Sequence, residues 1–219
     1  HSRSGKFFLD EEEWNEFQEV STKELRKNEL KFFEALNNQY REWNRSDLPT
    51  MGSNAYAMDA VKREMNIQGL LNLESIGYTS TKFHSQTLPA GMSLDSFETY
   101  NLDKDSMIGN FIAIVGNKTS SFLAQTFFRN AQHSMIKLPC VNLSVPLNYD
   151  QIRQIMPDLL RSDHGPFWKY GIPAIMLTDT ANFRNPYYHT TADTIDTLDF
   201  VFLKRVCQAV LATILRFPS

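Results

Sequence analysis

The chain lacks most of the features by which a function is identified from a short motif. It has no HExxH, no CxxC, no GxSxG, no P-loop and no GxGxxG, so serine-hydrolase and nucleotide-binding readings have no support. Cysteine is scarce: Cys140 and Cys207 allow one disulfide at most. Cys207 falls on the apolar side of a helical pattern, so the expectation is two buried thiols. Neither sign of charge dominates. The formal net charge is −3, with Lys and Arg scattered, and no nucleic-acid footprint is expected. No apolar run reaches the length of a membrane span, and the N-terminus carries no basic-then-apolar leader, although a cleaved leader would leave no trace.

What the chain does have is apolar mass. With 219 residues, 42% of them hydrophobic and 16 of them Phe, it has the size and composition for one domain with a substantial core. Residues 1–48 are dense in Glu, Lys, Asn and Phe. The acidic group at 10–13 and apolar residues at helical spacing predict amphipathic helices over about 10–20 and 22–43. From 49 to 219 the pattern changes to alternating strands and helices. A helix opens at Ser53 and is followed by a strand over 67–76. A long polar segment, 77–105, precedes a strand at 110–116 and a helix capped by Ser120 or Ser121. A strand at 136–145 is interrupted by Pro139, which suggests a sheet edge. The last helix, from Asp199, carries Phe202, Val206, Val210, Leu211, Ile214 and Leu215 as its expected core face. The expected fold is α/β: a mostly parallel sheet flanked by helices, behind an N-terminal helical segment.

Chemistry concentrates in 161–198 (RSDHGPFWKYGIPAIMLTDTANFRNPYYHTTADTIDTL). Gly171 ends a short helical turn, and 172–177 is apolar throughout, as a strand covered on both faces must be. Polar groups follow at its carboxyl end, where open α/β sheets place their sites. Earlier in the chain, Glu74 closes an apolar strand. A carboxylate there points outward, pairs with a cation, or binds a metal. Carboxylates and imidazoles suit zinc, and His189 before a capped helix supplies an imidazole. Asp193 is placed to orient that ring or to cap the helix. Asn44-Arg-Ser, Asn117-Lys-Thr and Asn142-Leu-Ser match the glycosylation acceptor pattern, which often arises by chance.

Several blocks, in order, resemble the M28 family of zinc aminopeptidases, which also includes the glutaminyl cyclases. They are MGSNAYA (51–57), NLESIGY (72–78), GNFIAIVGN (109–117), SDHGPFWKYGIPAIMLTDTANFRNPYYH (162–189) and HTTADTID (189–196). The resemblance implies a zinc-exopeptidase α/β fold, two zinc ions at the carboxyl ends of the strands, and hydrolysis of peptides by zinc-activated water. By that resemblance Glu74 and His189 are metal ligands, one for each ion. Asp163 steadies the substrate or its amine, with His164 and Tyr188 beside it in the site, and Arg184 contacts substrate. A secreted or periplasmic location fits the family.

The chain also departs from that pattern. The family's His-x-Asp block, its bridging Asp and its Glu-Glu pair are not found, and Glu11-Glu12-Glu13 lies about forty residues before Met51, where the family has a short link. Two readings follow. One is an M28-type zinc aminopeptidase whose metal site is incomplete in this chain. The other is a non-catalytic relative that binds a peptide, a partner chain or another copy.

Overall fold

The computed structural model describes residues 52–89 and 92–216. The acidic group at 10–13, the helices expected over 10–20 and 22–43, and Asn44 lie outside them. The first described helix, α1 (Gly52–Lys62), turns Ala55, Ala57 and Ala60 inward. It is followed by strands β1 (Leu70–Glu74) and β2 (Glu98–Tyr100), then β3 (Ile112–Gly116) and helix α2 (Ser121–Ala131). Next come β4 (Cys140–Ser144), α3 (Tyr149–Ile155), α4 (His164–Lys169), β5 (Ala174–Thr178) and α5 (Phe200–Arg216).

The five strands form one sheet in the order β1-β5-β3-β4-β2. The sheet is mixed. β1 with β5 and β3 with β4 are parallel, whereas β5 with β3 and β4 with β2 are antiparallel. Alternation along the strands sends side chains to two cores. Ile112 and Ile114 of β3, with Ile175 and Leu177 of β5, meet Phe127 of α2 and Phe202 and Val206 of α5. Ala113, Val115, Ala174 and Met176 face the other way, toward Ala57, Ile152, Phe167 and Trp168. Helices thus cover both faces, which is why β3 and β5 are buried at every position.

Pro139 predicted an edge strand, but β4 lies inside the sheet. The proline sits one residue ahead of it, where its missing N–H costs no ladder bond, and its carbonyl accepts from Ile112 N (2.9 Å). The edge is taken by β2, three residues from the long polar segment, paired so that Glu98 stands opposite Asn142. Gly171 ends α4 as expected. Its φ of +74° is backbone that a side chain would strain, and it lets the chain turn straight into β5.

The buried face of α5 also differs from expectation. Phe202, Val206, Ala209 and Thr213 are buried, whereas Leu211, Ile214 and Leu215 are exposed. The helix is apolar on two sides, and tertiary packing selects one of them. Thr213 marks the choice: its hydroxyl bonds to Ala209 O (2.7 Å) and accepts from Asn130 of α2 (3.2 Å). The same rotation exposes Cys207, while Cys140 is fully enclosed in β4. Burial pushes the Cys140 thiol up to about 12. Ellman's reagent is therefore expected to titrate one thiol in the native protein and the second only after denaturation. Two fast thiols in the native state would contradict the register of β4. Of the matched acceptor asparagines, Asn117 is buried and caps the turn at 118–120, and Asn142 is buried in β4, so neither is presented for glycosylation in the folded chain.

Candidate functional site

The register of β1 and β5 sets Glu74 directly opposite Thr178, so both strands deliver polar groups at the same end of the sheet. A cavity of about 120 Å³ opens there. Its floor is one face of three strands, formed by Ala113, Val115, Leu143 and Met176. Its roof is Leu88, Pro89, Met92 and Leu159. Its polar lining includes Glu74, Asp158, Arg161, Ser162, Thr178, Asn182 and Tyr188. An apolar slot with a few convergent polar groups is the usual form of a small-ligand site.

Glu74 is half-buried, and no Lys or Arg among the described residues pairs with it. Its Oε2 accepts from Ser162 Oγ (2.7 Å), which in turn accepts from Asn72 Nδ2 (2.8 Å). A side chain on β1 and one ahead of α4 thereby fix the carboxylate's direction. Tyr188 lines the cavity, and the His189 ring stacks on the Tyr188 ring with centroids 3.9 Å apart. His189 itself is exposed and has a left-handed backbone, φ +59°. Asp193 accepts from Asn185 Nδ2 (3.4 Å), not from the His189 ring.

Asp163 is exposed, at the residue before α4. His164 has no exposure at all: Nε2 bonds to Leu159 O (2.7 Å), and the ring stands edge-on to Trp168. Its Nδ1 is buried without a partner, and desolvation lowers its pKa to about 4. Arg184 is buried as well. Its Nε donates to Gln86 Oε1 (2.8 Å), its Nη1 lies 3.4 Å from Tyr78 O, and its guanidinium covers the Phe111 ring. Burial lowers its pKa to about 10, against the pull of Asp179 and Tyr78.

Two residues that hold the walls of this site, Asp179 and Gln86, carry little local signal in the sequence. Asp179 Oδ2 accepts from the amides of Gly77 (3.1 Å) and Tyr78 (2.8 Å), and Oδ1 from Ala181 (3.0 Å), tying the end of β1 to the loop after β5. Burial raises its carboxyl pKa and the three amides partly offset that. The only local signal was a carboxylate directly after an apolar strand. Gln86 gave none, because its partners lie almost a hundred positions away.

A catalytic zinc takes three protein ligands and a water. Among the described residues no group of three His, Cys, Asp or Glu side chains could hold a metal ion. These residues therefore do not fit a complete zinc centre by themselves.

The model of Peptidase family M28 matches residues 43–214, and the chain belongs to that family. The family is generally zinc-dependent. The uncharacterized protein YfbL of Escherichia coli (strain K12) is 31% identical over 161 residues, which are 74% of this chain and 44% of YfbL. Among solved structures, the LapA aminopeptidase of Legionella pneumophila covers 75% of this chain and 34% of its own, with 14% identity and a TM-score of 0.48. A second LapA structure gives 15% identity, 75% and 35% coverage, and the same TM-score of 0.48. The chain thus spans less than half the length of these relatives.

Proposed function

We propose that this chain forms the peptide-binding part of an M28-type aminopeptidase, with the cavity taking the apolar side chain of a peptide's N-terminal residue. In this reading Glu74 and His189 each present one ligand toward a two-zinc site, whose remaining ligands come from outside the described residues. The observation that supports it best is a convergence. Glu74, on β1, lines the same cavity as Tyr188, and His189 lies flat on the Tyr188 ring. Asp163 is the group assigned to the peptide's amine. Tyr188 borders the substrate and His164 braces the turn behind Asp163. Arg184 acts on the cavity wall through Gln86.

The second reading, a non-catalytic peptide- or protein-binding module, is favoured by the lack of a three-ligand group among the described residues. Elemental analysis together with leucine p-nitroanilide hydrolysis distinguishes the two. The aminopeptidase reading expects bound zinc and hydrolysis once the chain is joined to the segment that supplies the missing ligands, both lost in Glu74→Ala and in His189→Ala. Metal-free protein that binds the anilide without cleaving it, and whose stability does not change when zinc is added, selects the binding module. Protein that takes up neither zinc nor anilide sinks both.

A further inference from the structure

We infer that Gln86 is a positioning residue that sets the gape of the cavity, and with it the largest apolar side chain the cavity admits. The inference rests on the reading of the cavity as the peptide pocket. Gln86 is only 4% exposed and lines the cavity. Its side-chain amide uses both ends. Oε1 accepts from Arg184 Nε (2.8 Å), and Nε2 donates to Thr87 O (2.7 Å). The Thr180 hydroxyl lies within bonding distance of both, at 2.9 Å from Nε2 and 3.2 Å from Oε1. The neighbouring Thr87 adds two bonds to Phe183 O, from its amide (2.9 Å) and its hydroxyl (2.8 Å). The roof segment is therefore fastened to the loop after β5 through one buried glutamine and its neighbour.

That loop is not self-supporting. Thr180 and Ala181 both have left-handed backbone, φ +77° and +47°, a conformation that persists in non-glycine residues only when the surroundings impose it. Arg184, the other partner, already has a buried Nη2 with no hydrogen bond. Without the Gln86 oxygen, a second nitrogen of a buried cation would lose its partner, and movement of the loop toward water would relieve it. Size gives this consequence for specificity. An apolar cavity of about 150 Å³ holds a benzene-sized guest, so about 120 Å³ matches a leucine or methionine side chain, and a bulkier indole extends beyond it unless the roof moves away from the floor. The clamp keeps the cavity at that size.

The test is NMR titration of the chain with L-leucinamide and L-tryptophanamide, for wild type, Gln86→Leu, Gln86→Glu and Thr180→Ala. Wild type is expected to prefer leucinamide by about tenfold or more. Gln86→Leu and Thr180→Ala should bring the two affinities within about threefold, mainly by admitting tryptophanamide. Gln86→Glu keeps an acceptor for both Arg184 Nε and the Thr180 hydroxyl, loses only the bond to Thr87 O within its own segment, and should keep the preference. A merely structural glutamine would weaken both ligands together and leave their ratio unchanged, which overturns the inference. If Gln86→Leu does not fold, Thr180→Ala decides, since it leaves the bond to Arg184 in place. A wild type that binds both amides equally overturns the inference and leaves the peptide pocket standing. A wild type that binds neither overturns the pocket reading, and the inference with it.

Discussion

Phe127→Ala is expected to lower the free energy of unfolding by about 3–5 kcal/mol. The ring has no exposure and lies in the core that joins α2, the sheet and α5. Two effects add in that figure. The apolar surface of the ring loses its transfer gain, and the space it leaves cannot collapse, because Ile114, Leu177 and Val206 around it belong to rigid elements. Urea unfolding followed by circular dichroism measures the change as a lower midpoint at constant slope. A loss under about 1 kcal/mol would mean that α5 does not pack on α2 as described. Leu211→Ala serves as the control: it lies on the same helix but is 56% exposed, and it should shift the midpoint little.

The second large effect is a loss of stability in mild acid that traces to His164. Its folded pKa of about 4 lies below the ordinary 6.5, so between these values the unfolded chain binds the proton and the folded chain does not. The stabilising contribution is therefore complete above about pH 6.5, falls as pH drops, and is gone below about 4. Its full size is of the order of 3 kcal/mol. The structure shows why the proton is refused. Nε2 is committed to Leu159 O, and Nδ1 is sealed in with nothing to accept a hydrogen bond. His164→Gln should flatten the stability profile between pH 6.5 and 4 relative to wild type. Asp179 acts in the opposite sense. Its raised carboxyl pKa favours the folded state below about 3.8, and that gain is lost as pH rises through its folded value. The difference between wild type and His164→Gln, measured at each pH, isolates the histidine. A difference that stays constant across this window would show that the imidazole titrates alike in both states.

Parts of this molecule are written locally in the chain. The runs at the centre of β3 and β5, 112–115 and 174–177, are apolar at every position and end against glycine or a polar residue, and such runs have few conformations that bury them. The turn at Gly171 follows from one residue's freedom at positive φ. Glu74 stood out because a carboxylate at the end of an apolar strand needs a partner, and in the structure Ser162 supplies one. Family membership was carried by ordered blocks of residues that no periodicity would have revealed.

Other parts depended on contacts between distant segments. The helix α5 has apolar residues on two faces, so its pattern alone could not say that Thr213 would be buried and Leu211 exposed. β2 is a strand only because β4 offers Asn142, Val141 and Cys140 as partners. The clamp of Gln86 on Thr180 and Arg184 joins groups almost a hundred positions apart, and neither end carries a local mark of the other. Short-range order follows from backbone sterics and hydrophobic spacing, which act over a few residues. Which of two similar faces turns inward, and which polar groups meet at the mouth of a cavity, depends on what the rest of the chain packs against them.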